Sequence, residues 1–188
     1  GEDTIVVCLG DTTDSKRPEI RVNEEWKKYA GEKQLQFDIL DLDHIAKETG
    51  GRCLSILGNH DIFAGNNEDY CKEVDLLSYG PEGIIDRIKA YSPGGKMATI
   101  FGETRNVIQV VGPCLFVHGS LKPEFFNIFN ENEKREIVEK ANREIKFFLK
   151  GRKGIPRWFE YSQKKGFNPV ECRDFAQYPF DTRDIRKT

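Results

Sequence analysis

The sequence predicts an α/β protein in which mixed β-sheets are flanked by helices. Two observations support this class. Short apolar runs at residues 5–9, 53–57 and 114–117 are typical of buried strands, and each of them ends in polar residues. Amphipathic segments with the period of a helix lie between the first two runs and after the third. Strands that alternate with helices favour parallel pairing, with the helices covering the sheet.

Composition indicates one soluble globular domain that spans residues 1–188. The chain has 38% hydrophobic and 32% charged residues, a balance that allows a single hydrophobic core. Its formal charge of −2 provides no basic field, so we expect no nucleic-acid partner. No apolar run approaches the about 20 residues that a membrane helix needs, and the amino terminus lacks the pattern of a signal peptide. We therefore expect no membrane partner.

Cysteine usage favours a reducing compartment. The five cysteines are odd in number and show no C-x-x-C spacing. Three of them, Cys8, Cys53 and Cys114, lie within predicted strands, where a free cysteine packs as a small apolar residue. We therefore expect the protein to be intracellular.

The segment between the first two strands has two parts. Residues 21–34 are charged and lack a clean period, which predicts an insertion. The apolar positions of a helix then follow at spacings of four, three and four: Leu35, Ile39, Leu42 and Ala46. Gly50 and Gly51 end this helix, which we expect to be the crossover between two parallel strands.

Two polar groups near these elements are predicted to be solvated. His44 lies beside the apolar stripe between Asp41 and Asp43, which is typical of a charged helix surface. Residues 65–69 read GNNED and have the composition of a loop. A local run of charge does not supply the convergent geometry of a metal site, so we assign neither group to one.

The second half of the chain predicts a helix near residues 83–91, a β-hairpin over 107–117 and a long helix over 131–150. The apolar stripe of the long helix is expected to be core: Ile137, Val138, Ala141, Ile145, Phe148 and Leu149. Residues 160–188 form a carboxyl-terminal extension without a readable period.

Chemistry-bearing residues follow directly after the predicted strands. In an open α/β sheet, ligands bind beyond the carboxyl ends of the strands. Three buried strands would therefore bring Asp11, Asn59, His60 and His118 to one edge of one sheet.

Three short motifs carry a resemblance to a known family. They are GDTTD at residues 10–14, GNHD at 58–61 and VHGSL at 117–121. In this order and spacing, each after a strand, they resemble the second, third and fourth signatures of the calcineurin-like metallophosphoesterases. The GIPRWF segment at 154–159 is similar to one in the Shewanella-like protein phosphatase branch. The resemblance implies a four-layer αββα sandwich, here incomplete.

The resemblance also implies a two-metal phosphoesterase that acts on a phosphorylated protein or small molecule. Two metal ions lower the pKa of a bridging water and neutralise the phosphoryl oxygens, and carboxylate, amide and imidazole ligands suit Mn, Fe or Zn. The implied roles are a bridging carboxylate (Asp11), two metal ligands (Asn59 and His118), a general acid (His60), the residue that orients it (Asp61), a supporting carboxylate (Asp14) and a phosphate-binding cation (Arg17).

The chain departs from the family pattern in its ligand count. The family's opening D-x-H and closing G-H motifs are missing, and three histidines cannot complete two metal sites. Either the flanking strands lie outside this sequence, or the domain is degenerate and holds no metal. The first explanation predicts a phosphomonoesterase, and the second a pseudophosphatase that binds a protein partner in an assembly. A nucleotide-binding α/β protein is a weaker third alternative, because no phosphate-cradling glycine loop precedes a helix.

Overall fold

The computed structural model describes residues 3–14, 19–22, 25–28, 31–66, 79 and 82–174, with the backbone alone for 19–22 and 25–28. The strands are β1 Ile5–Cys8, β2 Glu19–Val22, β3 Glu25–Lys28, β4 Arg52–Ser55, β5 Ile108–Val111 and β6 Cys114–Val117. The helices are α1 Glu32–Glu48, α2 Asn59–Phe63, α3 Ile84–Tyr91, α4 Lys96–Thr104, α5 Pro123–Phe126, α6 Lys134–Leu149 and α7 Arg157–Lys164. The predicted α/β class is confirmed.

The predicted crossover unit is present. Strands β1 and β4 pair in parallel, with Ile5 opposite Arg52, and α1 lies between them in the chain. Parallel neighbours need such a crossover because the end of the first strand and the start of the second lie at opposite edges of the sheet. Residues 21–22 and 25–28 of the predicted insertion at 21–34 lie in the antiparallel pair of β2 and β3, and its last residues begin α1.

The predicted β-hairpin is also confirmed. Strands β5 and β6 pair antiparallel around Gly112, whose φ of +56° suits the tight turn. The expectation of one sheet is wrong for the described residues, because β6 pairs with β5 and not with β1 or β4. An isolated bridge between Ile56 and Asn106 is what links the two strand pairs.

Strand β1 is more exposed than its apolar sequence predicts. Ile5 is 43% and Val6 is 55% exposed, although we expected a buried strand. Among the described strands, β4 is the sole neighbour of β1, so one edge of β1 has no described partner. An apolar run therefore identified the strand correctly but not its burial.

The core is built on α6. The predicted stripe of this helix is buried at Ile137, Ala141 and Ile145, which are 3% exposed or less. Helix α4 packs against it through Phe101, and Gly102 allows the close approach of the two helices. None of the described helices has the length and apolar character that crossing a membrane requires.

The part of the carboxyl-terminal extension that the structure describes, residues 160–174, belongs to this core. Phe167, Val170 and Cys172 are buried, and Asn168 holds their turn by hydrogen bonds to α7. The backbone N–H of Gly119 donates to the carbonyl of Pro169 at 2.8 Å. This segment therefore supports the chain immediately after His118.

Helix α1 forms as predicted but turns a different face inward. Leu42 is 54% exposed, whereas Glu32 and Gln36 are buried together with Ile39. Polar side chains can be buried when hydrogen bonds replace those they made with water. His44 is on the exposed face, as expected, 3.9 Å from Glu48.

Asp43 connects α1 to β4 and provides a test of this packing. It accepts hydrogen bonds from Arg52 Nε at 2.8 Å and from the backbone N–H of Cys53 at 2.9 Å. The hydrogen bonds from Arg52 hold the pKa of Asp43 well below its usual 3.8, against the opposing effect of burial. A depressed pKa in the folded state stabilises the protein above about pH 4 and ceases to do so as the pH falls through the folded value.

We therefore expect Asp43→Asn to lower the free energy of unfolding at pH 7 by about 1–2 kcal/mol. The difference from the wild type should shrink below about pH 4, because the carboxyl of the unfolded chain then takes up a proton while that of the folded protein stays ionised. Urea titrations at pH 7 and pH 3 measure both quantities. Asp41→Asn, on an exposed position of the same helix, is the matched control, and an equal loss in both variants would contradict this role.

Candidate functional site

The site begins where β1 and β4 end side by side. Gly10 has a φ of +88°, and a Cβ there would lie 2.6 Å from the nitrogen of Gly58. Gly58 is equally constrained, because a Cβ on it would lie 2.6 Å from the nitrogen of Asp11. Real Cβ atoms do not tolerate such distances, so the two glycines are what allow these chain segments to touch. The backbone of Asp11 adopts the left-handed conformation, with a φ of +52°.

The structure brings Asp11 and His118 into direct contact. His118 Nε2 lies 3.0 Å from Asp11 Oδ2, and its Nδ1–H donates to the carbonyl oxygen of Leu9 at 2.7 Å. Because Nδ1 carries the hydrogen that it donates to Leu9, Nε2 is the nitrogen available to a proton or a metal ion. Asp11 and His118 therefore converge as predicted, although their strands belong to different pairs.

Both groups titrate abnormally in this arrangement. Burial by itself raises the pKa of Asp11, but hydrogen bonds from His118 and from the backbone N–H of His60 outweigh it and leave this pKa lowered. The hydrogen bond to Asp11 raises the pKa of His118, against the effect of its burial. Without a metal, the two side chains therefore favour a carboxylate–imidazolium ion pair.

Asn59 contributes a buried acceptor on the helix that contacts Asp11. It opens α2, and the next residue, His60, donates its backbone N–H to Asp11 Oδ1 at 3.0 Å. Asn59 Oδ1 is buried and has no hydrogen-bond partner in the part of the chain that the structure describes. A buried oxygen without a partner is costly, so it points to an absent group that would bind it.

These residues fit one metal ion. A carboxylate, an amide oxygen and an imidazole form a donor set suited to Mn, Fe or Zn, and the unpartnered Asn59 oxygen supports that assignment. The described residues contain no group of three or more His, Cys, Asp and Glu side chains that could hold a metal. Ligands for a second ion are therefore not found among them.

The structure corrects the role of Asp61. We expected this carboxylate to orient His60, but it points back toward the glycine loops. It accepts hydrogen bonds from the backbone N–H groups of Asp11, Thr12 and Gly58, at 2.9, 3.0 and 2.9 Å. As an acid in the first turn of α2, it also caps the helix. Its role is to hold the two loops together.

Asp14 is the residue that orients His60. Its Oδ2 accepts a hydrogen bond from His60 Nδ1 at 2.8 Å, and the carboxylate is buried. Asp14, the last residue of GDTTD, therefore has the role that we expected of Asp61, the last residue of GNHD: it orients the imidazole. Both motifs end in aspartate and lie at the same sheet edge, so the sequence could not distinguish between them.

Two buried arginines were missed in the sequence. Arg87 on α3 is fully buried and contacts Asp14 and Glu32, while Arg105 is 2% exposed and donates to Thr12 Oγ1 at 2.8 Å. Arg105 also lies 3.7 Å from Asp61. No local pattern marks an arginine as buried, and the acidic partner Glu32 lay in the predicted insertion.

The remaining predictions concern residues away from this cluster or outside the described residues. Arg17, the predicted phosphate-binding residue, lies outside the described residues, as do positions 67–69 of the acidic loop. The cysteines described, Cys8, Cys53, Cys114 and Cys172, are free, and Cys114 is exposed rather than packed in the core.

The site thus combines an Asp11–His118 pair, an unpartnered Asn59 oxygen and a His60–Asp14 pair at one end of the β1–β4 sheet. Comparison with known proteins finds no matching family model, no matching curated protein and no matching solved structure.

Proposed function

We propose that this chain is a metal-dependent phosphoesterase that hydrolyses a phosphomonoester of a protein or a small molecule. The main support is the contact of Asp11 with His118, together with the unpartnered oxygen of Asn59 on the adjoining helix. These three donors lie next to an imidazole that is oriented by a carboxylate. A metal-binding set next to an oriented acid–base group is what phosphoester hydrolysis requires. The complete four-layer sandwich and an intracellular location belong to the same proposal.

In this proposal Asp11, Asn59 and His118 hold the metal. A bound Mn, Fe or Zn ion supplies a water of lowered pKa and positive charge for the phosphoryl oxygens. The lone pair of His118 Nε2 becomes a ligand once its proton leaves, and the Nδ1–H bond to Leu9 keeps the ring in place. Asp61 keeps the Asp11 and Gly58 loops together, so that the ligands stay close.

His60 is the general acid of the proposed reaction. Asp14 accepts a hydrogen bond from Nδ1–H, so in the imidazolium form the proton on the other nitrogen, Nε2, is the one that goes to the leaving oxygen. The short helix α2 carries both Asn59 and His60, which couples metal binding to the position of the acid.

The alternative, a pseudophosphatase that acts as a binding subunit, is favoured by the donor count. Among the described residues no group of three or more His, Cys, Asp and Glu side chains could hold a metal ion, so a two-ion site would need donors from elsewhere. A domain that had lost catalysis would keep the Asp11–His118 ion pair as a structural contact. The two proposals therefore differ in metal-dependent activity and not in fold.

Hydrolysis of p-nitrophenyl phosphate separates them. The phosphoesterase proposal predicts turnover that requires added Mn, Fe or Zn and stops when EDTA is added. A folded protein that shows no turnover with any of the three metals would contradict the proposal and favour the binding subunit.

A further inference from the structure

Arg87 joins the two chain segments that carry the His60–Asp14 pair. Its guanidinium contacts Asp14 Oδ1, and its Nη1 donates to the carbonyl oxygen of Ala64 at 2.9 Å. Ala64 is the C-cap of α2, one turn after His60. One side chain therefore holds the carboxylate and the helix that bears its imidazole partner.

The two oxygens of Asp14 have separate partners. Oδ1 accepts a hydrogen bond from Arg87, whereas Oδ2 accepts one from His60 Nδ1 at 2.8 Å. A guanidinium is planar and rigid, so a contact with one oxygen fixes the plane of the carboxylate. The direction in which Oδ2 meets the imidazole is thereby set by Arg87.

Glu32 completes the arrangement and balances its charge. It accepts from Arg87 Nε at 3.0 Å and Nη2 at 3.1 Å, and from the backbone N–H of Asp14 at 2.9 Å. The three side chains are between 0% and 5% exposed. Since buried charges need partners, Glu32 offsets the charge of the arginine.

We propose that Arg87 is a positioning residue, which acts through Asp14 to hold His60 in the tautomer with its proton on Nδ1. A purely structural arginine would join α1 to α3 and leave this tautomer unchanged. The catalytic consequence rests on the proposed function. The tautomer does not, because it can be observed without metal or substrate.

The test uses Arg87→Lys, which keeps the positive charge but cannot span Asp14, Glu32 and Ala64 together. Long-range ¹H–¹⁵N correlation spectra of the full chain, at a pH where the ring is neutral, report which nitrogen of His60 is protonated. We expect a single Nδ1–H form in the wild type and a mixture of tautomers in Arg87→Lys. Arg105→Lys, which replaces a buried arginine that has no described contact with Asp14, should retain the wild-type form of His60.

If Arg87→Lys fails to fold, Glu32→Gln decides the question, since it weakens the two hydrogen bonds that hold the guanidinium of Arg87 in place against Asp14. A mixture of His60 tautomers in either folded variant supports the proposal. A wild-type His60 spectrum in every folded variant of the pair overturns it.

Steady-state kinetics provide a second test of the role of Arg87. Where the wild type is active, kcat of Arg87→Lys should fall about 10–100-fold with KM unchanged, the usual effect of losing an outer-shell contact. If the wild type shows no turnover, the proposed function fails, and the tautomer measurement still decides the role of Arg87.

Discussion

The Asp11→Asn variant is expected to lose phosphomonoesterase activity by about 10³-fold or more, since the loss of even one preorganised electrostatic contact costs about 10²–10³ in kcat. Asparagine keeps Oδ1 as the acceptor for the His60 N–H but removes the negative charge that faces His118. The fold should therefore survive while metal binding weakens. Initial rates with p-nitrophenyl phosphate and Mn²⁺ measure the change.

Circular dichroism of Asp11→Asn should match the wild type, which would show that the loss is chemical and not structural. Asp41→Asn, an exposed position on α1, serves as the charge-matched control and should keep full activity. Activity of Asp11→Asn within a factor of two or so of the wild type would exclude Asp11 as a metal ligand.

Replacement of His60 by asparagine should lower kcat by about 10²–10⁴-fold, the range that general acid catalysis contributes. Metal content should not change, because His60 is not among the proposed ligands. The loss should be larger for phenyl phosphate than for p-nitrophenyl phosphate, since a poorer leaving group depends more on protonation.

His44→Asn is the matched histidine control, because His44 is exposed on α1 and distant in sequence from the site motifs. An equal loss of kcat for both phosphate esters would argue against proton donation by His60. A loss of bound metal in His60→Asn would instead place this residue among the ligands.

Much of the backbone could be predicted because it depends on local signals. The apolar run at 5–9, the glycine pair after α1 and the stripe on α6 each specify a strand, a helix end or a core face by themselves. Asp11 and His118 also converge as predicted, although the expected reason, one sheet shared by their strands, is wrong for the described residues.

The pairing of polar side chains could not be predicted, because it depends on distant elements. Glu32 and Gln36 occupy the buried face of α1 since Arg87 and Arg105, which lie more than 50 residues further along the chain, supply their partners. The spacing of apolar residues identifies only those helix positions that are buried without hydrogen-bond partners, here Ile39. Polar burial is a property of the assembled network.

The exchange of roles between Asp14 and Asp61 has the same origin. Both aspartates follow a strand and lie near His60 in the fold, so composition and spacing do not separate them. Asp14, whose φ is +59°, meets Nδ1 of His60, while Asp61 receives the N–H groups of the loops. These contacts exist only in the folded chain, so the sequence does not show which carboxylate serves the imidazole.

Titration of the metal-free protein with Mn²⁺ by isothermal calorimetry most directly tests the proposed metal site of Asp11, Asn59 and His118. The wild type should bind at least one equivalent, and His118→Asn and Asn59→Ala should each bind more weakly. Asn59→Ala is the sharper of the two variants, because Oδ1 has no hydrogen bond to lose within the described residues. A wild type that binds no Mn²⁺, Fe²⁺ or Zn²⁺, or an Asn59→Ala variant that binds as tightly as the wild type, would contradict this metal site.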